Sequence, residues 1–83
     1  MSSLFIKNLE VIIMSEIKSF SLNGEQYYSK HNISILELIN YFNYNTSLLV
    51  LEYNNLICNK NDWGNISIKN NDKIEIVTIV GGG

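Results

Sequence analysis

The sequence predicts an α+β fold, a mixed sheet of four to five strands with one helix packed on one face. Three observations predict it. An Asn-Gly pair, Asn23-Gly24, stands between two runs of strand character. The stretch from Ser34 to Phe42 opens on a helix-start signature and repeats its apolar residues at three- and four-residue spacing. The other apolar runs are short and are separated by turn residues.

The first strand starts near Ile17. Ser19 and Ser21 point one way and Phe20 and Leu22 the other, a period of two. Asn23-Gly24 follows, and both residues tolerate the positive φ of a type I′ turn. The return strand is Glu25 to Lys30, with Tyr27 and Tyr28.

Ser34-Ile35-Leu36-Glu37 is a capping box. The Ser34 hydroxyl accepts from a free backbone N–H while Glu37 reaches back to the cap. Ile35, Leu38, Ile39 and Phe42 then form one apolar stripe. Asn43 to Thr46 ends the helix, with asparagine taking the left-handed position usually given to glycine.

Leu48 to Tyr53 reads as a buried strand, Asn54-Asn55 as a turn and Leu56 to Cys58 as an edge strand. Asn59 to Asn65 holds Trp63 among polar residues and suggests an irregular or 3-10 connection. Asn70-Asn71-Asp72 is a turn. Lys73 to Val80 is the last strand, and Gly81-Gly82-Gly83 follows it. One helix covers one face of such a sheet. In the known arrangement of this order the first and last strands lie adjacent and parallel at the centre, which is the β-grasp, or ubiquitin-like, architecture.

At 83 residues there is room for a single domain. Residues 1–13 stand apart, because Met14-Ser15-Glu16 resembles a natural start. They are expected to be an N-terminal extension, either poorly ordered or packed onto the domain. The β-grasp domain is expected over 14–80 and a flexible glycine tail over 81–83. Thirteen Asn and thirteen Ile beside no Ala, Pro or Arg point to an AT-rich genome, such as a plastid, an endosymbiont or a parasite. Most of the asparagines are accordingly read as surface drift.

Composition excludes several classes. Six Lys and no Arg against eight Asp plus Glu leave a net charge of −2, with no basic stripe for nucleic acid. The longest unbroken apolar run is about four residues, far short of a membrane span. The single cysteine, Cys58, excludes a disulfide framework, a four-cysteine iron–sulfur site and a cysteine-rich zinc site. His31 reads as a solvated loop residue and Cys58 as a buried, inert thiol. Asp62 and Asp72 read as turn residues, and Glu52 and Glu75 as ordinary strand carboxylates. No phosphate loop, nucleophile elbow or paired-carboxylate signature appears. The expectation is a protein that is not an enzyme and holds no metal or cofactor.

The informative feature is the tail. Three glycines join directly to an apolar strand in a chain with only two others. Without a Cβ, such a backbone can pass through a narrow tunnel in another protein. Three extended residues reach roughly 10 Å. The Gly83 carboxylate is then presented to a foreign active site, with Gly81 and Gly82 threading the tunnel. A carboxylate is a poor electrophile, so it must be activated, most simply as a mixed anhydride with AMP. Strand phasing adds a docking surface: Ile74, Ile76, Thr78 and Val80 share one face, and Glu75, Val77 and Ile79 share the other, close to the tail.

The stretch from Ile17 to Gly83, 67 of 83 residues, resembles the sulfur carrier protein family of thiamine biosynthesis, the ThiS family. Leu22-Asn23-Gly24-Glu25 matches its opening hairpin, Ser34-Ile35-Leu36-Glu37-Leu38 its helix start and Val50-Leu51-Glu52-Tyr53-Asn54 its central strand. Trp63 follows at about the family's spacing. Asn71-Asp72-Lys73-Ile74-Glu75-Ile76 then leads to Val77-Thr78-Ile79-Val80-Gly81-Gly82-Gly83. Residues 1–13 depart from the pattern.

The resemblance implies a carrier acted on by others. An ATP-dependent adenylating enzyme converts the Gly83 carboxylate to an acyl-adenylate. Sulfur, from cysteine through a desulfurase, replaces AMP to give a Gly83 thiocarboxylate, and thiazole synthase takes that sulfur. Val77 and Ile79 lie where the family presents apolar contacts. ATP is used by the partner and no cofactor is bound. A monomer in the plastid stroma is expected, with bacterial cytoplasm as the alternative. Three other readings stay open: the small subunit of molybdopterin synthase, whose prolines before the tail are absent here; a ubiquitin-like modifier; and a non-catalytic β-grasp interaction domain.

Overall fold

The computed structural model describes residues 17–79. The expectations for 1–13 and for the tail 81–83 therefore lie outside the described residues. Within them the order is β1 (Lys18–Leu22), β2 (Glu25–Ser29), α1 (Ile35–Tyr41), β3 (Leu49–Tyr53), β4 (Leu56–Cys58) and β5 (Asp72–Thr78). Short 3-10 turns occupy Thr46–Leu48 and Lys60–Asp62.

The sheet runs β2-β1-β5-β3-β4. β1 and β5 are parallel neighbours, with Phe20 opposite Asp72 and Leu22 opposite Ile74. Every other pairing is antiparallel. This is the mixed five-stranded β-grasp sheet with one helix that the element order predicts.

The core lies between α1 and one sheet face. Phe20 and Leu22 come from β1, Ile74 and Ile76 from β5, Leu51 from β3, and Ile35, Leu38 and Ile39 from α1. Trp63 and Ile68, from the irregular segment, close the side. The Trp63 indole N–H donates to the Cys58 carbonyl at 3.2 Å, so this buried ring leaves no polar atom unpaired.

The helix is short, and its start is held from several sides. Ser34 Oγ accepts from the Glu37 N–H and Glu37 Oε1 from the Ser34 N–H, both at 3.1 Å. The next two free amides, of Ile35 and Leu36, donate to the carbonyls of Ile66 and Trp63, each at 3.0 Å. The irregular segment thus completes the cap that the capping box begins. At the other end Asn43 adopts φ +58. Its N–H donates to Asn40 O at 3.2 Å and the Tyr44 N–H to Ile39 O at 3.3 Å, the pair of bonds of a Schellman ending.

Two expectations change. Leu48 to Tyr53 is not a fully buried strand: Leu48 belongs to the preceding 3-10 turn and is exposed, and only Leu51 is fully buried. α1 covers one face alone, so Val50 and Glu52 turn to the other. The asparagines are also less idle than drift implies. Every positive φ outside glycine belongs to one of them among the described residues: Asn23, Asn43, Asn54, Asn55 and Asn71. Asparagine is the non-glycine residue that tolerates this region best. Side chains of two of them also close the turns, Asn23 Oδ1 accepting from the Ile76 N–H and Asn54 Oδ1 from the Lys73 N–H.

Candidate functional site

β5 sets the phase of the site. Ile74 and Ile76 are buried beneath α1, so the residues between and beyond them turn to the opposite face. Val77 is 56% exposed and Ile79 53% exposed. Thr78, expected on the covered face, is exposed as well, because the strand has run beyond the buried cluster. Glu75 is half-buried and forms an ion pair with Lys73 at 3.0 Å. Both side chains keep about half of their surface in solvent, 52% for Lys73 and 43% for Glu75, so the pair contributes little to stability.

Register adds residues that the sequence reading treated as ordinary. Val50 of β3 stands opposite Val77, and Glu52 opposite Glu75. Ile57 of β4, 77% exposed, stands opposite Glu52. The open face therefore carries an apolar row, Val50 and Val77, beside an acidic row, Glu52 and Glu75, with Ile57 at its edge. The sequence signal for Glu52 and Val50 is the alternation within β3, legible once Leu51 is known to point inward.

The base of the tail is anchored. The Ile79 N–H donates to Leu48 O at 2.7 Å, extending the β3–β5 ladder one residue past the strand. Four residues, Val80 to Gly83, follow this bond in the sequence. Fully extended, they reach about 13–14 Å. Val80, Gly81, Gly82 and Gly83 themselves lie outside the described residues.

The remaining candidates stay apart from this face. His31 is exposed in the loop before α1. Cys58 is half-buried rather than buried, and burial, followed by the nearby Asp62 carboxylate, raises its pKa and disfavours the reactive thiolate. Asp72 is not a free turn residue. It opens β5, is buried, and accepts from the Lys69 N–H at 2.7 Å, the Asn54 side-chain amide at 3.1 Å and the Tyr53 hydroxyl. These partners tie two turns together, which is a structural task. Among the described residues no three His, Cys, Asp or Glu side chains gather as a metal site would require, and no helix is long and apolar enough to cross a membrane.

The sequence profile of the ThiS family matches residues 20–83, from the first core position of β1 through the glycine run. The chain belongs to the ThiS family. Its curated relatives include proteins named ycf40. That of Trieres chinensis is 61% identical over 70 residues, 84% of this chain and 96% of the relative. Those of Porphyra purpurea and Pyropia yezoensis are 34% and 32% identical over 65 residues, 78% of this chain and 92% of each relative. Among solved structures, the thiamine biosynthesis protein ThiS of Geobacter metallireducens superposes with a TM-score of 0.68 at 18% identity, covering 78% of this chain and 99% of its own. That likeness is one of fold. The ThiS family consists of small carrier proteins.

Proposed function

We propose that this protein is a sulfur carrier of thiamine biosynthesis whose reactive group is the carboxylate of Gly83. The observation that supports it most is the family match running through Gly81-Gly82-Gly83, directly after a strand pinned to the sheet at Ile79. A rigid base and a side-chain-free tail suit delivery of a carboxylate to a distant catalyst.

The chemistry proceeds in three steps. An adenylating partner joins the Gly83 carboxylate to the α-phosphate of ATP, releasing pyrophosphate. The outer sulfur of a persulfide, drawn from cysteine by a desulfurase, attacks the acyl carbon and expels AMP, giving an acyl disulfide. A second thiol of the partner then cleaves the S–S bond, ending as a partner disulfide and leaving the thiocarboxylate on Gly83. Thiazole synthase then accepts the sulfur. Glu75, Val77 and Ile79 form the docking face for these partners, joined by Val50 and Glu52. The carrier supplies position and a good leaving arrangement, while ATP and catalysis belong to its partners. The ycf40 relatives of Trieres chinensis, Porphyra purpurea and Pyropia yezoensis and the AT-rich composition support a plastid protein, working in the stroma.

The test is intact mass. After incubation with ATP, an adenylating partner, a desulfurase and cysteine, the mass rises by the difference between sulfur and oxygen, and fragmentation puts the change on Gly83. An unchanged mass with a partner shown to bind overturns the carrier reading in favour of a pure interaction domain. Transfer of the sulfur to thiazole synthase, and not to a molybdopterin synthase large subunit, tests the pathway.

A further inference from the structure

The sheet ends on two unlike edges. β4 is three residues long and leaves little edge to pair. β2 has five residues, and among the described residues no strand lies beyond it. Its middle, Gln26-Tyr27-Tyr28, holds no charge and no proline, the devices that commonly blunt an edge.

The hairpin fixes which backbone groups of β2 face outward. Its two-residue turn makes Leu22 and Glu25 a hydrogen-bonded pair. Alternation then makes Phe20–Tyr27 and Lys18–Ser29 pairs of the same kind. Glu25, Tyr27 and Ser29 therefore turn their N–H and C=O groups toward β1. Those of Gln26 and Tyr28 point away from the sheet, and Lys30 continues that phase.

This edge is complementary to itself. A twofold axis through Tyr28, perpendicular to the sheet, sets two copies of β2 side by side and antiparallel. Tyr28 then faces Tyr28 of the second copy, and Gln26 faces Lys30, so the outward groups meet in hydrogen-bonded pairs. The charges agree. β2 begins on Glu25 and is followed by Lys30 and His31, so the acidic end of one copy lies along the basic end of the other. The side chains agree as well. Tyr28 is 70% exposed, and an aromatic pair across the axis would cover it. On the helix side, a groove of about 500 Å³ opens between β2 and α1, lined by Phe20, Tyr27, Leu38, Tyr41 and Phe42. A strand added to β2 lies across the mouth of that groove.

We propose that β2 is a self-association edge: a second copy of this chain pairs its β2 with β2 about Tyr28, joining the two sheets into one of ten strands. The monomer expected from the sequence is then the dissociated form, favoured at low concentration. The join lies at the β2 end of the sheet, apart from the β3–β5 ladder, so the face that carries Val77 and Ile79 stays uncovered in both copies. The proposal is independent of the sulfur-carrier reading.

The experiment is sedimentation equilibrium on the full chain from micromolar to millimolar concentration. The mean mass is expected to climb from that of one chain toward that of two. Tyr28→Lys places two ammonium groups face to face at the axis, and Tyr28→Glu places two carboxylates there. Each variant is expected to remain a single chain and, because Tyr28 stands mostly in solvent, to keep the amide spectrum of the fold. An equal mixture of the two variants is expected to regain the double mass, since Lys then faces Glu, a rescue that mere loss of stability would not give. A full chain that stays single at every concentration overturns the proposal. So does a dimer that both variants preserve, and so does a mixture that stays single, since the contact then does not pass through Tyr28.

Discussion

Glu52 and Glu75 stand directly opposite one another across the β3–β5 ladder, on the sheet face that α1 does not cover. Like charges at such a pair destabilise a sheet. Lys73 engages Glu75 from the same strand, but Glu52 has no ion-pair partner among the described residues. A charge arrangement that costs stability beside an exposed apolar row is what a binding surface tolerates and a purely structural one does not.

Glu52→Gln is therefore expected to raise stability by about 0.2–1 kcal/mol, read as a higher urea midpoint with an unchanged slope. The same variant is expected to bind the adenylating partner more weakly. Gain of stability together with full partner affinity would remove Glu52 from the docking face.

Val77→Asp and Ile79→Asp probe the apolar part. Both side chains are more than half exposed, so each change should alter folding stability by no more than about 0.5 kcal/mol. Each apolar group covered on docking contributes on the order of 1–2 kcal/mol, so kcat/KM for adenylation of Gly83 should fall about tenfold. Steady-state kinetics with the variant as co-substrate gives the answer.

Deletion of Gly82-Gly83 separates chemistry from folding. Thiocarboxylate formation should vanish, by intact mass, while the melting temperature stays within a degree or so, because the ladder is anchored upstream at the Ile79–Leu48 bond. A drop of many degrees would assign the tail a structural role.

Asp72 and Tyr53 carry a pH signature. Burial first, then the hydrogen bond to Asp72, pushes the Tyr53 pKa up to about 12 from its ordinary value of 10.0. The folded state favours the neutral phenol. The stabilisation is fully present below pH 10 and is lost as pH rises through about 12. Tyr53→Phe should cost about 1–2 kcal/mol at neutral pH and flatten the alkaline limb of stability against pH. Asp72→Ala, which strips the acceptor from three donors, should cost more, about 2–3 kcal/mol. Chemical denaturation from pH 7 to 12 measures both.

Asn43 tests the claim that these asparagines are conformational choices. With φ +58 at the end of α1, Asn43→Gly should hold or raise stability, whereas Asn43→Ala should lower it by about 1 kcal/mol. Equal effects would return Asn43 to the category of drift.

Local signals in this chain were legible because they act over a few residues. The Asn23-Gly24 turn, the Ser34–Glu37 box, the left-handed Asn43 and the alternation of Phe20 and Leu22 each follow from short-range sterics and hydrogen bonding, and each stands where the residues place it. The order of these elements also carried the β-grasp, since one helix and a short mixed sheet have few ways to bury a common face. Asp72 was misread for the same reason that the turns were read well. Its neighbours Asn70 and Asn71 speak for a turn, and nothing local announces that Tyr53 and Asn54, 19 and 18 residues earlier, will meet its carboxylate.

The amino-acid order was thus enough for the turns, the helix and its caps, the phase of β5 and the kind of fold, because each of these minimises a local steric or hydrophobic cost. The pairing of Glu52 with Glu75 and of Val50 with Val77, the burial of Asp72 and the groove between β2 and α1 had to await the folded chain. They depend on strand register and on which neighbour closes over which face, and those are settled by contacts between residues far apart in the chain.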